Sequence, residues 1–169
     1  MAFLIGGANS AADTGYDVAN SCRFNDGDTA YMHKTPGSAG TKTTWTLSMW
    51  VKRGNLGSDM PLAGTGTGAN QDKITFSAAD NISWYTYQSS AYVANQITTQ
   101  VFRDVSAWYH LVFVWDSTDG TAGDRQRIYV NGSEITSFST DTQPSSSAVT
   151  LWNNNQQLDI GRMESAYFD

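Results

Sequence analysis

A chain of 169 residues with 40% apolar and 12% aromatic content is large enough for one domain around one core. Its 10 basic residues are scattered among 16 acidic ones, net charge -6, so no patch can neutralise several phosphates and nucleic acid is excluded as a partner. Cys22, the only cysteine, rules out an internal disulfide and reads as a small buried hydrophobe, and the apolar start at residues 1–5 is too short and lacks a basic flank for a signal peptide or membrane span.

Glu134 and Glu164 are the only glutamates; Asp, Asn, Gly, Ser and Thr fill the other polar positions, a composition of turns and strands. No window of 12 or more residues spaces its apolar residues as a helix does. Short alternating runs between turn signals predict an all-β sandwich or barrel in one domain.

In chain order, residues 1–19 are rich in Gly, Ala, Ser and Asn and read as a flexible arm. Strands at 21–24 and 29–33 flank the turn Asn25-Asp-Gly-Asp28. The run TTWTLSMWVK (43–52) sets Trp45, Leu47, Met49 and Val51 on one parity against Thr46, Ser48, Trp50 and Lys52. Weaker strands follow at 60–63, 72–77, 81–87 and 93–100, the first two separated by GTGTGANQ, read as a surface loop. The segment SAWYHLVFVWD (106–116) is apolar on both parities. RQRIYV then meets SEITSF through Asn131-Gly132, a strong hairpin signal because both turn positions favour a positive φ. AVTLW (148–152) and QLDIGR (157–162) complete the predicted strands.

Trp108-x-His110-Leu-Val-Phe-Val-Trp-Asp116, Arg127-Ile-Tyr-Val-Asn-Gly132 and Asp159-Ile-Gly-Arg162 together resemble the laminin-G/concanavalin-A-like jelly-roll family, over residues 20–169. The segments RFN, SAG, WVKRGNLG, FRDVSAWYH and IYVNG are similar to those of tailed-bacteriophage virion proteins. The resemblance implies two antiparallel sheets packed face to face, and a virion location on a tail fibre or capsid surface. The implied partners are other virion proteins, further copies of the chain and a host surface glycan, with no enzymatic activity; a purely structural virion module is the alternative. Within that fold, Trp108, Val112 and Val114 with Ile128 and Val130 are expected to form one core layer. Tyr109, Phe113 and Trp115 would then lie under loops or line a groove. In the family the motif runs on through F-D-G into a last strand, so the resemblance implies either a native chain longer than Asp169 or a strand from a neighbouring subunit.

Catalytic sets are weak. A retaining glycosidase needs two carboxyls about 5–5.5 Å apart, and Glu134 and Glu164 are thirty positions apart with no acidic companion. Cys22, His33 and His110 show no dyad spacing; His110 matches the structural histidine of Trp-x-His, a packed and hydrogen-bonded ring. No cofactor is implied except calcium, which many members of the family bind through six to eight hard oxygen ligands; Asp26 and Asp28, and Asp116 and Asp119, are the candidate ligands, weighed against ordinary turn formation. For a sugar, an aromatic platform with amide neighbours is needed, and Trp84, Tyr87 and Tyr92 with Trp152 and Asn153 are the candidates.

Overall fold

The structure is a computed structural model describing residues 20–169; the arm at 1–19 lies outside the described residues. Its strands are β1 (Met32–Lys34), β2 (Thr44–Val51), β3 (Met60–Thr67), β4 (Asn70–Phe76), β5 (Asn81–Gln88), β6 (Ala91–Val101), β7 (Tyr109–Asp116), β8 (Gln126–Val130), β9 (Ser133–Glu134), β10 (Phe138–Thr142), β11 (Leu158–Ile160), β12 (Arg162–Met163) and β13 (Ala166–Tyr167). The described helical residues form only two 3-10 turns, Asp26–Asp28 and Ala122–Asp124, and none makes a helix long and apolar enough to cross a membrane.

A seven-stranded sheet in the order β1-β11-β3-β4-β5-β6-β10 packs against a four-stranded sheet in the order β2-β7-β8-β9, and β12-β13 is a separate hairpin. All pairings are antiparallel. The all-β sandwich is therefore what the alternating pattern predicts.

Strand β7 shows why both its parities are apolar. Leu111, Phe113 and Trp115 are buried between the sheets at 0%, 0% and 1% exposure, which stabilises by about 1.5–3 kcal/mol per side chain. This reverses the expected layering. The register pairs Ile128 with Phe113 and Val130 with Leu111, and residues directly opposite share a face, so the buried pair on β8 draws the odd positions of β7 inward. Val112 and Val114 face outward, half-buried beside Ser48, Thr46, Tyr129 and Arg127. Trp108 precedes the strand and stays exposed.

The core centres on four indoles. Trp45 lies 5.6 Å from Trp84, 6.3 Å from Trp115 and 5.4 Å from Trp152 between ring centroids, and Phe113 meets Trp84 edge-on at 5.5 Å. Such aromatic pairs add about 0.5–1.5 kcal/mol beyond the area they bury. At one end of the sandwich, buried Arg53 donates to Asp80 Oδ1 at 2.9 Å and to the Phe102 carbonyl at 2.5 Å, and it lies over the Phe76 ring. The Gly57 N–H bonded to Asp80, reinforced by Arg103 and Arg53, outweighs burial and brings its carboxyl down to about 2.

Other departures have local causes. Residues 21–24 form no strand, and Cys22 is exposed, not buried. Most of GTGTGANQ is strand: β3 and β4 turn at Gly68 and Ala69. Gly64 lies in β3 because a Cβ there would meet Met163 Sδ at 2.5 Å. Residues 148–152 bridge the sheets without becoming a strand, since Thr150 N–H donates to the Lys42 carbonyl at 3.2 Å and Leu151 N–H to Asp72 Oδ2 at 2.6 Å. SEITSF splits, with β9 on one sheet and β10 crossing to the other. Asn131 and Gly132 adopt φ of 50° and 83°, as their hairpin requires.

Candidate functional site

Alternation on β5 sends Ile82, Trp84 and Thr86 into the core and turns Ser83, Tyr85 and Tyr87 to the outer face of the seven-stranded sheet. Their neighbours follow from register. Tyr87 opposes Tyr92 on β6 and Gln71 on β4; Tyr85 opposes Asn95 and Lys73. Three tyrosines therefore cluster, Tyr87 with Tyr92 at 4.9 Å and Tyr85 with Tyr92 at 5.6 Å, both edge-to-face. Tyr92 is 55% exposed, while Tyr85 and Tyr87 are half-buried.

Polar groups border this aromatic surface. The Tyr85 hydroxyl reaches Gln71 Oε1 at 3.4 Å, Lys73 pairs with Asp59, and the Thr75 hydroxyl donates to Asp59 Oδ1 at 2.6 Å. Burial, then the neighbouring Tyr92, Asp59, Glu164 and Asp72, push the Tyr85 phenol well up, so it remains a neutral donor and acceptor. On the far side, Met163 is buried against Gly64, which seats the β12-β13 hairpin on β3. Beside the hairpin is a polar cavity of about 420 Å³ lined by Thr65, Gln156, Gln157, Asp159, Arg162 and Glu164 among others. Asp159 accepts from Arg162 at 2.7 and 3.0 Å and from Gln157 at 2.7 Å, and the Arg162 guanidinium sits 3.6 Å over the Tyr31 ring. The face thus offers aromatic rings for apolar C–H surfaces and amides, hydroxyls and carboxylates for hydroxyl groups.

Of the sugar-site candidates, the structure brings Tyr87 and Tyr92 together and removes the two tryptophans. Trp84 and Trp152 are 0% and 5% exposed in the indole cluster, so neither ring is open to a ligand. Trp84 and Tyr87 are also an odd number of positions apart on one strand and must point to opposite faces. Asn153, at φ 56°, acts within its loop: its side-chain amide donates to the Thr41 carbonyl at 3.0 Å and its carbonyl accepts from Gly40 N–H at 2.6 Å. Tyr85, Gln71, Lys73 and Asp59 were missed, although Tyr85 shares the parity of Tyr87.

The aspartate pairs are turn-formers. Asn25 caps the first turn, accepting from Gly27 N–H and donating to Asp28 Oδ2 at 2.6 Å. Asp116 Oδ1 accepts from the hydroxyl and N–H of Thr118, the hydroxyl first among the causes that hold its carboxyl below the ordinary range; Asp119 Oδ1 accepts from Thr121 N–H at 2.7 Å. Among the described residues no three of His, Cys, Asp or Glu converge as metal ligands, and the carboxylates of Asp28, Asp116 and Asp119 are engaged within their own turns. Glu134 pairs opposite Tyr129 in the four-stranded sheet, while Glu164 reaches Gly68 N–H beside the seven-stranded one, which separates the only two glutamates. His110 is hydrogen-bonded, its Nε2 2.9 Å from Ser48 Oγ, and stacks on Trp50.

A two-sheet antiparallel sandwich with one aromatic and polar outer face defines a jelly-roll domain. The chain belongs to the concanavalin A-like lectin/glucanases superfamily, whose laminin-G family model matches residues 25–169. Among solved structures it is similar to the mouse laminin alpha1 chain, domains LG4-5, at 13% identity and a TM-score of 0.49, over 80% of this chain and 34% of that one; it thus spans about a third of that chain's length. No curated protein matches the sequence.

Proposed function

We propose that this laminin-G-like, lectin-type domain is a non-enzymatic recognition module on the surface of a phage particle, where it binds a host surface glycan through Tyr85, Tyr87 and Tyr92. One observation carries the reading: three tyrosines converge on an outer sheet face with Gln71, Asn95 and the Lys73–Asp59 pair around them. Sugar rings stack on such surfaces and leave their hydroxyls to the polar rim. The phage setting rests on the similarity of RFN, SAG, WVKRGNLG, FRDVSAWYH and IYVNG to virion proteins, and it makes other virion proteins and further copies of the chain the expected neighbours. Domains of this kind are generally binding modules, and the separation of Glu134 from Glu164 supports binding without hydrolysis. A glycan array followed by titration with host lipopolysaccharide tests the proposal. Saturable binding without released reducing sugar is expected, and absence of binding to every glycan refutes it. The alternative, an architectural virion module with no glycan ligand, is favoured by the exposed Trp50 on the other sheet and the exposed Trp108 just before β7; burial of Tyr92 between subunits in the particle would select it.

A further inference from the structure

The β12-β13 hairpin turns at Glu164, whose φ is 54°, and this tip is tied to the tyrosine face through the β3-β4 turn. Gly68 N–H donates to Glu164 Oε1 at 3.2 Å, Gln71 Nε2 donates to the Gly68 carbonyl at 3.0 Å, and the Tyr85 hydroxyl donates to Gln71 Oε1 at 3.4 Å. An exposed carboxylate therefore stands at the rim of the aromatic cluster, linked to the Tyr85 phenol by three hydrogen bonds. Gly68 occupies its Oε1; its Oε2 has no hydrogen-bond partner among the described residues.

The cations of this face are already held. Lys73, opposite Tyr85, pairs with Asp59 and keeps its side chain 12% exposed. Arg162, on the hairpin, is gripped by Asp159 and lies over the Tyr31 ring. Of the other cations, Arg53 and Arg103 are on Asp80, Arg127 belongs to the four-stranded sheet, and Lys42 and Lys52 flank β2. Lys34 is on β1, four strands from β5, roughly 19 Å at the usual strand spacing. Residues 1–19 contain neither lysine nor arginine. Lys73 and Asp59 cancel, as do Arg162 and Asp159, which leaves Glu164 as the uncompensated charge beside the tyrosines. The Tyr85 phenol registers it: after burial and Tyr92, the charges of Asp59, Glu164 and Asp72 all push it upward.

Resting on the glycan reading above, we infer that the tyrosine face takes an uncharged stretch of glycan and that Glu164 is the residue that sets this choice. A sugar bearing carboxylate, sulfate or phosphate, stacked on Tyr87 and Tyr92, meets the Glu164 charge with no cation to pair with. A neutral sugar instead donates a hydroxyl to Oε2. Selectivity of this kind comes from an element that repels the wrong ligand as much as from contacts to the right one. Exposed charges act over about 8 Å at physiological ionic strength, so the discrimination depends on salt.

The test is an array that prints each neutral oligosaccharide beside its sialylated and sulfated forms. Titration of the full chain with the best-bound neutral member and its sulfated form follows. The sulfated form is expected to bind at least tenfold more weakly in 20 mM salt, a gap that narrows in 500 mM salt. In Glu164→Gln the gap should fall to threefold or less through tighter binding of the sulfated form, whereas Glu134→Gln, on the other sheet, leaves it unchanged. The salt dependence of the unaltered chain decides the matter should Glu164→Gln fold poorly. Charged forms bound as tightly as neutral ones, or a gap that both variants shift equally, overturn the inference and leave glycan recognition standing. Absence of binding to every glycan on the array instead overturns the recognition reading, and this inference with it.

Discussion

Asp72 is a buried carboxyl in β4, fully enclosed where the 148–152 segment crosses the sandwich. Burial pushes it up to about 7, against the opposing Leu151 N–H that donates to its Oδ2. In the unfolded chain it ionises near 3.8, so between roughly pH 4 and pH 7 the unfolded state binds fewer protons and stability falls as pH rises. About three units at 1.36 kcal/mol each amount to roughly 4 kcal/mol, fully felt only above about pH 7. Asp72→Asn removes that cost while keeping an acceptor for Leu151 N–H. Relative to the unaltered chain, the variant should gain on the order of 4 kcal/mol between pH 4 and pH 8, or about 10 °C in melting temperature for a domain of this size. Denaturant titrations at both pH values read the difference directly. A difference that does not change with pH, or one that favours the aspartate more at pH 8, would refute the reasoning.

Asp80 behaves oppositely: its lowered carboxyl contributes stability above about pH 4 that is lost as pH falls toward 2, and Asp80→Ala, which strands buried Arg53, should cost about 3–5 kcal/mol by chemical denaturation. Gly64→Ala drives a methyl against Met163 and should cost about 1–3 kcal/mol, with faster hydrogen exchange in the β12-β13 hairpin. Trp152→Ala opens a cavity among the indoles and should lower stability by about 3–5 kcal/mol, visible in the melting curve.

The alternating pattern carried the architecture well because period-two alternation has only one way to shelter its apolar parity, and the Trp45–Val51 run made that parity plain. It failed at 106–116, where both parities were apolar and only the pairing of Ile128 with Phe113 decides which set goes inside. Glycine misled in GTGTGANQ: read locally it signals a loop, but Gly64 answers to Met163, ninety-nine positions away in the chain. At the candidate site, Tyr87 and Tyr92 were legible as aromatic residues near a hairpin. Lys73, Gln71 and Asp59 were not, since their approach to Tyr85 depends on the β4–β5 register and on where the segment before β3 lies. The tryptophans were the costliest error. Aromatic size attracted a ligand reading, whereas parity already separated Trp84 from Tyr87.

The recognition face is tested most directly by one paired titration, with Tyr92→Ala and Trp152→Phe measured beside the unaltered chain against a glycan that it binds. The outer-face assignment predicts that Tyr92→Ala loses at least tenfold in affinity at an unchanged melting temperature, while Trp152→Phe melts lower and binds as before. Full affinity in Tyr92→Ala, or loss confined to Trp152→Phe, would contradict it.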